Sequence, residues 1–136
     1  MVKLITGLKG SGKTKTLIGL VCSAILEADG DVVVVEKERK LTYDIPRQAR
    51  LIDAGPEVGN YDILKGFIYG IHAGNYDITH LFIDNFFKLV NDKTPENLVS
   101  FVNWANAFAE EHSMEIVISV SIDNNSLPEE LKSFVI

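Results

Sequence analysis

Val2-Lys3-Leu4-Ile5-Thr6 runs directly into Gly7-Leu8-Lys9-Gly10-Ser11-Gly12-Lys13-Thr14, and that passage decides the fold. Val2 to Thr6 is a short, apolar, partly β-branched run, the pattern of a buried strand. From Lys13 to Ala28, apolar residues recur at Leu17, Leu20, Val21, Ala24, Ile25 and Ala28, which draws one stripe along a helix. Between the two stand Gly7, Gly10 and Gly12, where a tightly wrapped chain with inward N–H groups has no room for side chains. A strand feeding a helix through such a loop is the opening unit of an α/β protein.

Downstream residues continue the alternation. Val32-Val33-Val34-Val35 is an unbroken β-branched run, as expected for a strand covered on both faces in a parallel sheet. Glu36 to Gly59 is irregular, with Pro46, Gly55, Pro56 and Gly59, and Ala49–Asp53 is a candidate extra strand. Asn60 to Gly74 has Ile63, Leu64, Phe67, Ile68 and Ile71 at helical spacing, with Asn60 as N-cap and Gly74 as stop. Ile78–Ile83 reads as a strand. Thr94 caps a helix with Pro95 at its first position and a stripe of Leu98, Val102, Ala105, Phe108 and Ala109. Glu115–Ile122 reads as a further strand, and Ser126 with Glu129 has capping-box spacing for a short last helix. The expectation is a three-layer α/β/α sandwich with a largely parallel sheet of about four to five strands, one domain over residues 1–136.

Composition narrows the function classes. The 136 residues are 46% apolar and 24% charged, which excludes wholesale disorder. Nineteen acids against thirteen bases leave a net charge of −6, so no global basic field for nucleic acid or anionic membrane exists. No apolar run approaches a membrane span, and the chain is expected to begin on its first strand with no leader. The lone Cys22 cannot form an internal disulfide, which points to a reducing, cytoplasmic setting, and its place near the apolar stripe makes it a core candidate. His72, His80 and His112 are scattered without ligand spacing. Phe82, Phe86, Phe87 and Trp104 lack basic interleaving and read as core or partner contacts rather than base-stacking groups.

Gly7 to Thr14 meets G-x-x-x-x-G-K-[ST] at every fixed position, between a strand and a helix, and resembles the Walker A segment of P-loop nucleoside triphosphatases. The resemblance implies that Gly7, Leu8, Lys9, Gly10, Ser11, Gly12, Lys13, Thr14 and Lys15 surround the phosphates of a nucleoside triphosphate. Loop amides and the helix N-terminus would face the anion, and Lys13 would place its ammonium on the β- and γ-phosphates. Thr14 would give its hydroxyl to Mg²⁺. Leu81-Phe82-Ile83-Asp84 resembles the Walker B strand, with Asp84 as the metal carboxylate. Asn85 stands where many such ATPases carry a catalytic Glu. In RecA-like cores the Glu instead ends the second strand, and Asp31-Val-Val-Val-Val-Glu36 is similar to that segment. The resemblance therefore implies Lys13 and Glu36 as catalytic residues, with Glu38 a rival, and a strand order of 2-3-4-1 for the four main strands.

The nucleotide implied is Mg-ATP, because the Asn-Lys-x-Asp base-reading segment of small GTPases is absent. A slow ATPase is the first expectation. The alternatives are a nucleoside or small-metabolite kinase, with Arg47, Arg50 or the Asp44/Asp53 loop gripping the acceptor, and a non-catalytic nucleotide sensor acting on a protein partner or second copy through residues 36–59. Ser119, Ser121 and Asp123 are either γ-phosphate sensors or packing residues. Arg39, Arg47 and Arg50 either cover the phosphates, reach a neighbouring subunit as an arginine finger, or belong to a solvated loop.

Overall fold

A computed structural model describes residues 1–38 and 40–136. Its strands are β1 (Val2–Gly7), β2 (Asp31–Glu36), β3 (Ala49–Asp53), β4 (Ile78–Ile83) and β5 (Glu115–Ser121). Its helices are α1 (Lys13–Glu27), α2 (Tyr61–Gly74), the short α3 (Phe86–Leu89) and α4 (Pro95–Glu111). The strands form one five-stranded sheet in the order β1-β5-β4-β2-β3, and every neighbouring pair is parallel. The four main strands lie in the expected order, and Ala49–Asp53 joins as an edge strand outside β2.

The valine run shows why alternation is missing. Val33 and Val35 pack into the core formed with Leu64 and Ile68 of α2 and Phe101, Val102 and Ala105 of α4. Val32 and Val34 pack on the opposite face against Leu17, Val21 and Ala24 of α1, together with Leu41 and Ile45 from the loop after β2. Both faces of the sheet are dry, so both strand parities are apolar. Emptying such a position, as in Leu17→Ala, removes packing worth about 2–5 kcal/mol. The result is a three-layer α/β/α sandwich.

Helix boundaries follow their sequence signals, with local exceptions. The Asn60 side chain accepts from the Ile63 N–H at 2.9 Å and starts α2; Pro95 occupies the opening turn of α4, where Thr94 holds the N-cap position but its side chain makes no capping hydrogen bond. The proposed last helix is not α-helical. Asp123 accepts from the Asn125 N–H at 3.0 Å and turns Asn124–Ser126 into a 3₁₀ segment, so Ser126 ends a turn instead of capping a helix. A second 3₁₀ segment, Glu129–Phe134, starts after Pro128, with Leu127 and Leu131 buried. Cys22 is exposed and not part of the core: Leu17, Val21 and Ala24 carry the buried stripe, and the next residue after Val21 turns about 100° away from it. No described helix is long and apolar enough to cross a membrane.

Because the sheet is all-parallel, the C-terminal ends of its strands share one edge. Gly7, Glu36, Ile83 and Ser121 end β1, β2, β4 and β5 there, and open α/β sheets bind ligands at that edge.

Candidate functional site

The loop between β1 and α1 is shaped by its glycines. Gly7 has φ 140° and a Cβ there would run into the Ser11 side chain. Gly12 has φ 88°, in the left-handed region, and is the N-cap of α1. No side chain caps α1, and its first turn contains no acid. Helix N–H groups thus point into a crevice of about 400 Å³ lined by Lys9, Gly10, Gly12, Lys13, Thr14, Lys15, Asn85 and Ser121. Lys13 is only 7% exposed, and its Nζ donates to the Leu8 carbonyl at 2.9 Å. The Ser11 N–H donates to the same carbonyl at 3.1 Å. Leu8 therefore serves this loop through its backbone while its side chain stays exposed.

Asp84 follows β4 and is the centre of a hydrogen-bond network. It is 1% exposed. The Thr14 hydroxyl lies 3.1 and 3.3 Å from its two carboxylate oxygens. The Ser119 hydroxyl donates to Asp84 Oδ1 at 2.6 Å, and Asn85 Nδ2 donates to Oδ2 at 3.1 Å. Ser119 also accepts from the Asn85 N–H at 2.8 Å. Asn85 adopts φ 53°, ψ 60°, a left-handed conformation that Asn tolerates better than most residues. That turn brings its amide back onto the carboxylate.

Glu36 ends β2 on the other side of Asp84. It is 3% exposed, and its Oε1 accepts from the Leu41 N–H at 3.0 Å. Burial pushes its carboxyl above the ordinary value; backbone N–H groups of Leu41 and Lys40 pull it down, and Asp84 and Asp53 push it up. Thr14, Glu36 and Asp84 line a shared cavity of about 140 Å³, rimmed by Lys37, Lys40 and Lys88. Glu38 lies outside this cavity, with φ 78°, its N–H donated to Asp53 and its carboxylate 3.3 Å from Lys40.

The fold thus gathers Gly7 to Lys15, Glu36 and Asp84 at one edge, and separates other candidates from it. Of the β5 hydroxyls, only Ser121 lines the crevice. Ser119 is fully buried and engaged with Asp84 and Asn85, and Asp123 is occupied as a turn cap. Arg50 lies on β3 beside the groove between that strand and α2, away from the crevice, and Arg47 lines neither loop-edge cavity. Arg39 lies outside the described residues. His72 and His112, far apart in sequence, meet with ring centroids 4.0 Å apart and planes tilted by 39° beside Phe108, and burial lowers the His72 pKa. No cluster of three or more His, Cys, Asp or Glu suited to a metal occurs among the described residues. Sequence reasoning missed Asn85 as a partner of Asp84, and Lys37, Lys40 and Lys88. The only signal for these lysines was a count: Lys9, Lys13, Lys15, Lys37, Lys40, Lys88 and Lys93, seven of the ten lysines in an acidic chain, border the loop-edge cavities.

Comparison with known protein families and with curated proteins finds no match.

Proposed function

We propose that the chain is a P-loop protein of the cytoplasm that binds Mg-ATP and hydrolyses it slowly. The observation that carries this reading is the uncapped, acid-free start of α1 beneath a glycine loop, with the Thr14 hydroxyl 3.1 Å from the buried Asp84 carboxylate. Exposed N–H groups and a positive helix end suit a polyphosphate. Lys9, Lys13 and Lys15 supply cationic charge beside it. Binding requires Lys13 Nζ to exchange the Leu8 carbonyl for a phosphate oxygen, a stronger, charge-assisted partner.

Thr14 and Asp84 are hard oxygen donors, the chemistry that Mg²⁺ selects. Magnesium takes few protein ligands and completes its shell with water and phosphate oxygens, so two protein groups fit it and a larger cluster is not needed. Bound there, the ion would neutralise phosphate charge. Ser119 and Asn85 hold Asp84 in a single orientation for that purpose.

Glu36 is the candidate base. Its cavity is shared with Thr14 and Asp84, and burial raises its proton affinity, which suits a group that must accept a proton from water. The Leu41 N–H occupies Oε1 and lowers the proton affinity of the carboxyl, which weakens the base and accords with slow turnover. That same bond favours a second reading, nucleotide sensing. Leu41 and Ile45 pack on the α1 face, so loss of the Glu36–Leu41 bond would loosen the 36–59 segment for a protein partner or second copy. The exposed, unpaired Cys22 thiol accords with a reducing compartment.

Phosphate release from Mg-ATP by the wild-type chain and by Glu36→Gln tests the reading. Release that falls at least about tenfold in Glu36→Gln with nucleotide affinity retained supports hydrolysis. No release from either chain, with binding intact, favours the sensor. No binding of a non-hydrolysable ATP analogue in Mg²⁺ overturns both.

A further inference from the structure

Beside the phosphate crevice lies a second chamber of about 310 Å³, lined by Lys9, Asn85, Phe87, Lys88, Lys93 and Ser121. It shares Lys9, Asn85 and Ser121 with the crevice, so the two adjoin. No carboxylate appears among its described lining residues. Lys9, Lys88 and Lys93 form no ion pair among the described residues, although acids outnumber bases nineteen to thirteen in the chain. Burial, Lys40 and, less, Lys9 act against the charge on Lys88, and Glu38 acts for it. The Lys93 ammonium stands 5.6 Å from the centre of the Phe87 ring. Lys9, Lys88 and Lys93 are exposed, so water screens much of their mutual repulsion, and an anion placed among them is attracted by all three.

We propose that this chamber is a second anion site that takes a compact phosphomonoester at the same time as the nucleotide occupies the loop crevice. The inference rests on the P-loop reading for its neighbour but not for its own chemistry. A phosphate dianion matches a cavity whose lining holds three lysines and no carboxylate. Lys88 and Lys93 come from the segment after β4 and do not line the loop crevice, and Lys93 is also absent from the Thr14–Glu36–Asp84 cavity. The lysines surround one concavity and do not form a track, which suits a small molecule and not a nucleic-acid strand. Its volume is at the small end for ligand pockets, and the Phe87 ring offers an apolar wall to the body of an ester. Inorganic phosphate left by hydrolysis shares the headgroup chemistry but has no body to lay on that ring.

The test is calorimetric titration of phenyl phosphate, and separately of inorganic phosphate, into the full chain saturated with Mg²⁺ and a non-hydrolysable ATP analogue. Phenyl phosphate should bind, and the Lys88→Ala/Lys93→Ala variant should weaken it by about tenfold or more, while Lys93→Ala alone moves analogue affinity by less than about twofold. Tighter binding of phenyl phosphate than of inorganic phosphate assigns the site to an ester, whereas equal affinity assigns it to the hydrolysis product. Absence of binding to the loaded chain, or binding unchanged in the double variant, overturns the proposal. Should the analogue itself fail to bind, the nucleotide reading falls and the same titration on the unliganded chain still decides the chamber. Binding there that Lys88→Ala/Lys93→Ala removes and Lys13→Ala leaves intact supports it, and any other pattern refutes it.

Discussion

Helices α1 and α2 begin differently. At α2 the Asn60 side chain accepts from the Ile63 N–H and Asp62 stands in the first turn, so the helix start is satisfied by its own residues. At α1 the cap is Gly12, no side chain closes the turn, no acid faces the dipole, and Lys13 and Lys15 add positive charge to a positive end. A cap of the Asn60 kind stabilises by about 1 kcal/mol, and cations at a helix start cost a few tenths more. The chain knows how to close a helix and leaves α1 open. Helix α4 also lacks a side-chain cap but has Glu96 in its first turn, so α1 alone of the three long helices combines a missing cap, no acid and added cations, the combination the proposed polyphosphate site calls for.

That contrast can be broken most forcefully at Lys13. Lys13→Ala should lower ATP-analogue affinity by about 10- to 100-fold, measured by calorimetry in Mg²⁺, since a hydrogen bond to a charged group is lost. Unchanged affinity would leave the open end of α1 without a ligand. Next comes Asp84→Asn, which keeps the shape but removes the hard anionic oxygen. The gain in nucleotide affinity on adding Mg²⁺ should shrink by about tenfold, read by titration with and without chelator.

Asn60→Ala sharpens the comparison from the other side. It should cost about 1 kcal/mol, a fall of about 2–5 °C in melting temperature, with nucleotide affinity unmoved. The smallest effect is expected at Glu36. Burial lifts its carboxyl above its ordinary value of 4.5, so over that window the folded chain holds a proton that the unfolded chain has released. Stability therefore falls as pH rises through the window. Glu36→Gln should melt slightly higher than wild type at neutral pH and match it on the acid side of the window. A difference constant with pH would show that Glu36 does not titrate on unfolding.

Legibility in the sequence tracked periodicity. Val32–Val35 declared a buried strand because both its faces are dry, Ile78–Ile83 read as a strand, and the strand order came from the resemblance to RecA-like cores. The glycine loop was legible because its demands are local. What escaped depends on tertiary placement. Ser119 reads as a generic strand-end hydroxyl until β5 is set against β4, where it meets Asp84 across the ladder. Phe86–Leu89 is too short to show a stripe. Cys22 is adjacent in sequence to a core residue and opposite to it in space. At the C-terminal end, Asp123 and Pro128 set 3₁₀ turns that override the Ser126/Glu129 signal. Lys88 and Lys93 carry no motif, and only the fold brings them beside Lys9.

One consequence of the strand order concerns β5, which stands between β1 and β4. The tips that present Gly7 and Asp84 are separated by two strand repeats, about 10 Å. The sheet acts as a ruler whose graduations are backbone hydrogen bonds, so no single side-chain change can shorten or lengthen that interval. Adaptation of this edge to a different cargo must come from residues that overhang the gap, and a graft of the loop onto a sheet lacking the intervening strand would not reproduce its reach.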